Sequence, residues 1–141
     1  MESAIGCMEA RIKILYIDEE PNNLRAFKAY FRPKLNYEIN ICDSEKEGLK
    51  RIAETKYHIV VLNQSRKERN IIELLEAIGQ LDRDILRIVV TAHRDTSLVD
   101  KALDEGKIYS YHTKPWNLSE VERAIETAYN VYQMILKKKD V

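Results

Sequence analysis

The chain has 141 residues, enough for one ordinary domain with its own core. Its formal net charge of +0 supplies no general pull toward nucleic acid or an anionic membrane. No apolar run approaches the ~20 residues of a membrane span, and residues 1–10, which carry Glu2 and Glu9, lack the basic-then-apolar order of a secretory signal. The expectation is a cytoplasmic protein with neither a nucleic-acid nor a membrane partner. Cys7 and Cys42 are too few and too far apart for a disulfide framework or a metal site, and are expected as reduced thiols. His58, His93 and His112 stand in separate segments without metal-ligand spacing.

Short apolar runs alternate with helical periodicity, which predicts βα units around a parallel sheet. Ile12 to Ile17 is apolar except at Lys13, as in a strand covered on both faces. Pro21 opens a helix where its missing N–H costs nothing. Leu24, Phe27 and Phe31 form that helix's buried stripe, and Pro33 ends it. Tyr37 to Cys42 is the second strand. Ser44 and Glu47 form a capping-box pair, and Leu49, Ile52 and Ala53 face inward from the helix that follows. Ile59 to Leu62 is the most apolar strand and is expected near the centre. Ile71 to Ile78 is a third helix, stopped near Gly79. Ile85 to Thr91 is a strand, Ser97 to Glu105 a helix with Gly106 past its end, and Ile108 to His112 a short fifth strand. Asn117 caps the last helix, with Glu120 following. In that helix Leu118, Val121, Ile125, Ala128, Tyr132 and Ile135 fall at heptad spacing. Its second half, from Tyr132, is expected to run past what one sheet can cover. The domain is expected to span 1–141, with a core from about 12 to 132, a flexible arm over 1–10 and an extended helix end over 133–141.

In doubly wound folds ligand chemistry sits at the carboxyl ends of the strands. Asp18, Asn63, Thr91 and Lys114 all fall at that edge. An acid pair, a central strand-end residue, a hydroxyl and a lysine, in that order, resemble the site of response-regulator receiver domains. The resemblance runs from about Lys13 to about Tyr132. It implies a flavodoxin-like five-stranded parallel sheet in order 2-1-3-4-5. It implies that Asp18 and Glu19 are the acid pair that holds magnesium, with the Ser65 carbonyl as a further ligand. It implies that Thr91 contacts the phosphoryl group, that Lys114 neutralises the site before a cis Lys114–Pro115 bond, and that Tyr111 is the switch aromatic.

The central position departs from that family. The segment Asn63-Gln64-Ser65-Arg66-Lys67-Glu68-Arg69-Asn70-Ile71 has asparagine, lysine and isoleucine where aspartate, proline and glycine are expected. An amide oxygen is neutral and its nitrogen lone pair is delocalised, so Asn63 is no nucleophile toward phosphorus. The expectation is a pseudo-receiver without catalytic residues, magnesium binding that is weak or absent, and function through protein contact. The alternative is a conventional phosphoacceptor receiver whose aspartate has been substituted. A flavodoxin-like small-molecule binder is disfavoured, because Asp18-Glu19-Glu20 would repel a phosphate at the first strand end. Partners expected from the resemblance are a protein or a tandem output domain, and a homodimer through the fourth helix, fifth strand and last helix. Gly106 to Tyr109 and Lys114-Pro115-Trp116 resemble receivers joined to enzyme or transcriptional outputs.

Overall fold

The computed structural model describes residues 11–64, 71–92, 96–113 and 117–139. Five strands and five helices alternate: β1 (Ile12–Ile17), α1 (Pro21–Phe31), β2 (Tyr37–Cys42), α2 (Glu45–Glu54), β3 (Ile59–Gln64), α3 (Ile71–Leu81), β4 (Leu86–Thr91), α4 (Ser97–Asp104), β5 (Ser110–Thr113) and α5 (Leu118–Lys139). The sheet is parallel throughout, in the expected order β2-β1-β3-β4-β5. β3 lies at its centre, and Ile59, Val60, Val61 and Leu62 are each at most 1% exposed. Burial on both faces is what lets a strand be uninterruptedly apolar. Each such side chain contributes about 1.5–3 kcal/mol over the exposed state.

Alternation along the strands sorts the core into two layers. Tyr16, Val61, Ile88 and Val90 face α1 and α5, while Leu15, Ile17, Val60, Leu62 and Val89 face α2, α3 and α4. The helix ends follow local chemistry. Glu20 caps α1 by accepting from the Asn22 N–H, ahead of Pro21. Ser44 Oγ accepts from the Glu47 N–H at 3.1 Å, but the Glu47 carboxylate pairs with Arg51 one turn on, so only the serine half of the expected capping box is made. Gly106, at φ 73°, closes α4 with paired bonds from Gly106 N to Leu103 O and from Lys107 N to Ala102 O. That is the left-handed stop that glycine makes without strain.

Three further expectations need correction. Gly79 does not stop α3, which continues to Leu81. A Cβ at Gly79 would lie 2.8 Å from Arg87 Nη1, so this glycine makes room for the arginine of β4. Ala53 is exposed, and the inward position on α2 is taken by Gly48 instead. There a Cβ would fall 2.3 Å from Ile17 Cδ1 and 3.4 Å from Cys42 Sγ. Gly48→Ala is therefore expected to destabilise the protein by about 1–3 kcal/mol through overpacking, against a helix-propensity gain of about 1 kcal/mol. Urea unfolding measures the balance, and an unchanged midpoint would mean Ile17 yields freely.

The third correction concerns α5. Val121, Ile125 and Ala128 pack on the sheet as expected, but Tyr132 is also buried, at 2%. It meets the His58 ring edge-on at 5.0 Å, and Tyr129 does the same at 5.1 Å. His58 is fixed from below by Lys13: its ring Nδ1 accepts from the Lys13 backbone N–H at 2.9 Å and its backbone N–H donates to Lys13 O at 3.0 Å. Burial, then the nearby Lys13 and Lys56 charges, hold the imidazole below its ordinary 6.5. The unfolded chain therefore takes up this proton first. The stabilisation is complete above about pH 6.5 and is lost as pH falls toward the folded-state value. His112, lowered by burial, adds in the same direction. His58→Asn should flatten, without abolishing, the loss of stability below pH 6.5, as measured by thermal melts across that range. An unaltered slope would assign the acid sensitivity elsewhere.

Candidate functional site

The carboxyl edge of the sheet brings most of the described candidates together. The register pairs Ile17 with Leu62, Asn63 with Val90 and Gln64 with Thr91. Asp18 follows Ile17, and so stands next to Asn63 across the β1–β3 boundary. Its N–H is held by Cys42 O at 3.1 Å, which ties the site to β2.

Asp18 is 1% exposed, and its carboxylate accepts from three donors. Oδ2 takes the Tyr16 hydroxyl at 2.6 Å and Asn63 Nδ2 at 2.6 Å, while Oδ1 takes the Glu20 N–H at 2.9 Å. A buried carboxylate needs such company, because desolvation without compensating donors is costly. Among the described residues, Asn63 Oδ1 is buried without a hydrogen-bond partner. Beside the pair lies a cleft of about 20 Å³, lined by Ile17, Asp18, Glu19, Glu45, Leu62, Asn63 and Leu74. That is room for about one water. Glu19 and Glu20 are exposed at the rim.

Thr91 is 1% exposed, and its Oγ1 donates to Gln64 O at 3.2 Å, so the hydroxyl bridges the ends of β4 and β3. Tyr111 donates its hydroxyl to the Asp100 carboxylate on α4, and Thr96 Oγ1 donates to the same group at 2.9 Å. The Asp100 hydrogen bond is the main cause that raises the Tyr111 phenol above its ordinary value. The expected switch aromatic is thus tied to α4. Lys114 and Ser65 lie outside the described residues, as do Lys67, His93, Pro115 and Trp116.

Sequence reasoning missed Tyr16. The signal was available: Tyr16 is two residues before Asp18, on the same side of the strand by alternation, and is the one phenol in a run that is aliphatic apart from Lys13. Its ring stacks on Phe27 of α1 at 4.2 Å. Burial first, and then the Asp18 bond, push its ionisation far upward, so it stays a donor. Asp100, the partner of Tyr111, was missed as well. Nothing in its exposed helical position distinguished it from an ordinary surface acid.

The donor set matters for a divalent cation. Magnesium wants open oxygen ligands in near-octahedral array. A carboxylate has about four acceptor positions, and three of those on Asp18 are taken by protein donors. Among the described residues no group of three or more His, Cys, Asp or Glu side chains is arranged to hold a metal ion.

The model of the response regulator receiver domain matches residues 14–126, which is most of the chain and includes every element from β1 into α5. The chain belongs to the response-regulator receiver family. The hydrogenase transcriptional regulatory protein HoxA of Bradyrhizobium diazoefficiens is similar, with 21% identity over 121 residues, covering 86% of this chain and 24% of that protein. The probable C4-dicarboxylate response regulator DctR of Bacillus subtilis is 24% identical over 131 residues, covering 91% of this chain and 56% of that one. The chain therefore spans from a quarter to just over half the length of these curated relatives. Among solved structures, the signal receiver domain of an HD domain-containing protein from Pseudomonas fluorescens Pf-5 is 26% identical, with a TM-score of 0.80 over 91% of this chain and 93% of that one. This receiver is a module of two-component signalling. No helix among its described residues is long and apolar enough to cross a membrane.

Proposed function

We propose that this receiver works without phosphorylation, as a cytoplasmic, non-enzymatic module that regulates a protein partner or a tandem output domain by contact. The observation that carries the reading is the Asn63–Asp18 bond. The position where the family's phosphoacceptor stands holds an amide that donates to the neighbouring carboxylate at 2.6 Å. That amide offers no nucleophilic oxygen anion. Ile71 supports the reading. It replaces an expected glycine and is buried at 4% in the α2–α3–α4 layer of the core. The change is thus built into the packing of α3, which a lone substitution of the acceptor residue would not bring. The acid pair of Asp18 and Glu19 then has a structural role, and magnesium has weak affinity or none.

The contact surface we assign to this function is the face of α4, β5 and α5. Tyr109, Glu120, Arg123, Ala124 and Thr127 line a shallow groove there. Aromatic and arginine side chains are the commonest anchors at such surfaces. The occupant is a second copy or the output protein. The joint change Arg123→Glu and Thr127→Glu should abolish association while leaving the melting temperature within about 2 °C, the effect of a surface substitution of about 0.5 kcal/mol. Association is read by sedimentation of the chain alone and with its output protein, with and without a small phosphodonor. Binding that survives the double change removes this face from the account. Binding that appears only with the phosphodonor removes the phosphorylation-independent reading itself.

A further inference from the structure

We infer that Tyr16 is a cation-excluding residue: its hydroxyl and the Asn63 amide hold Asp18 in the place of a divalent cation. The inference rests on the non-phosphorylating reading of the pocket, and adds to it a second residue and a reason for the pocket's chemistry.

Asp18 has few lone pairs left for a cation. Both positions of Asp18 Oδ2 are filled by short bonds, from Tyr16 and from Asn63 at 2.6 Å each. Oδ1 gives one of its positions to the Glu20 N–H. A hard cation entering this edge must displace a donor that is already in contact. Tyr16 is poorly placed to yield. It is 0% exposed, its ring lies 14° from parallel with Phe27, and a rotation away from Asp18 would have to open space in the α1–α5 layer of the core. Interiors packed at native density resist that movement. Neutral, preorganised donors thus satisfy the carboxylate at no further desolvation cost. Among the described residues Asn63 Oδ1 has no hydrogen-bond partner, and Asp18 and Asn63 both line a space sized for one water.

Asn63 alone does not account for this arrangement. The Tyr16 bond joins β1 to the residue just past its end and does not involve β3, so restoring aspartate at position 63 leaves it in place. Tyr16→Phe removes one oxygen and keeps the ring and its stack. The test compares four proteins: wild type, Tyr16→Phe, Asn63→Asp and the double variant. Manganese is the probe, and the free ion is counted by electron paramagnetic resonance in chelator-treated samples. Tyr16→Phe in the Asn63→Asp background should tighten manganese binding by about tenfold. A change below about twofold in that background overturns the inference. A double variant that folds only when manganese is added supports it, because binding to the folded state alone would then supply the missing stability. If the double variant stays unfolded in both conditions, Tyr16→Phe alone decides: tighter binding than wild type supports the inference, and equal binding overturns it. Phosphoryl transfer from acetyl phosphate is scored on the same samples. Its appearance on the wild type would end the functional reading, while the manganese comparison would still judge Tyr16 separately.

Discussion

Asn63→Asp is expected to lower stability in metal-free buffer by about 2–4 kcal/mol, the equivalent of a carboxyl shifted by up to about three pKa units. The amide now donates to Asp18 Oδ2 at 2.6 Å. Aspartate there replaces a donor with a second acceptor against a carboxylate that is 1% exposed. Two carboxylates at that separation cannot both ionise without penalty, so one must hold a proton or recruit a cation. The sign with pH follows. The added carboxyl titrates higher in the folded state than in the unfolded chain. The loss is therefore full where both would ionise and shrinks as the solution is acidified. Magnesium should recover part of the loss, and the Tyr16 bond limits how much. Urea unfolding with and without magnesium, at neutral and mildly acidic pH, measures all three effects. A variant as stable as the parent in chelator would mean that Asn63 does not neutralise Asp18.

Tyr132→Ala is the second large effect, at about 3–5 kcal/mol, as for other buried aromatic truncations. The residue lies beyond the part of α5 that rests on the strands, yet it is 2% exposed and abuts His58. Removing it leaves a cavity at the amino edge of the sheet and frees His58 on one side. Met134, only two residues on, is 61% exposed, and Met134→Ala should change stability by no more than about 0.5 kcal/mol. The pair separates the buried face of α5 from its exposed face within one turn. Equal effects at the two positions, by thermal or urea unfolding, would contradict that difference.

The contrast between these two positions shows what the sequence can carry. Heptad spacing marked Tyr132 as inward-facing, but spacing cannot say what lies beneath. The partner is a histidine just outside β3, and only the three-dimensional placement of that loop supplies it. Gly79 failed for a related reason. Glycine at a helix end and glycine making room for an arginine look alike in a chain. What separates them is a contact between α3 and β4. The central position of β3 and the edge that gathers Asp18, Asn63 and Thr91 were legible in the apolar runs and βα connectivity, which are local facts with global consequences, and the strand order was legible only through the resemblance to receivers. The state of Asp18 was less legible. The resemblance gave it Lys114 as a neutralising partner, which lies outside the described residues, and the described donors are a phenol, an amide and the Glu20 N–H.

The central claim is that this receiver does not take up phosphate, and intact mass spectrometry tests it directly. The wild-type chain is incubated with acetyl phosphate and magnesium, and its mass is recorded before and after mild alkaline treatment. The account predicts no added phosphoryl group under conditions that modify a phosphorylatable receiver in the same tube. A gain of one phosphoryl group, lost on alkaline treatment as an acyl phosphate would be, would contradict it and would place the chemistry on another carboxylate, with Asp18 and Glu19 the first to be substituted.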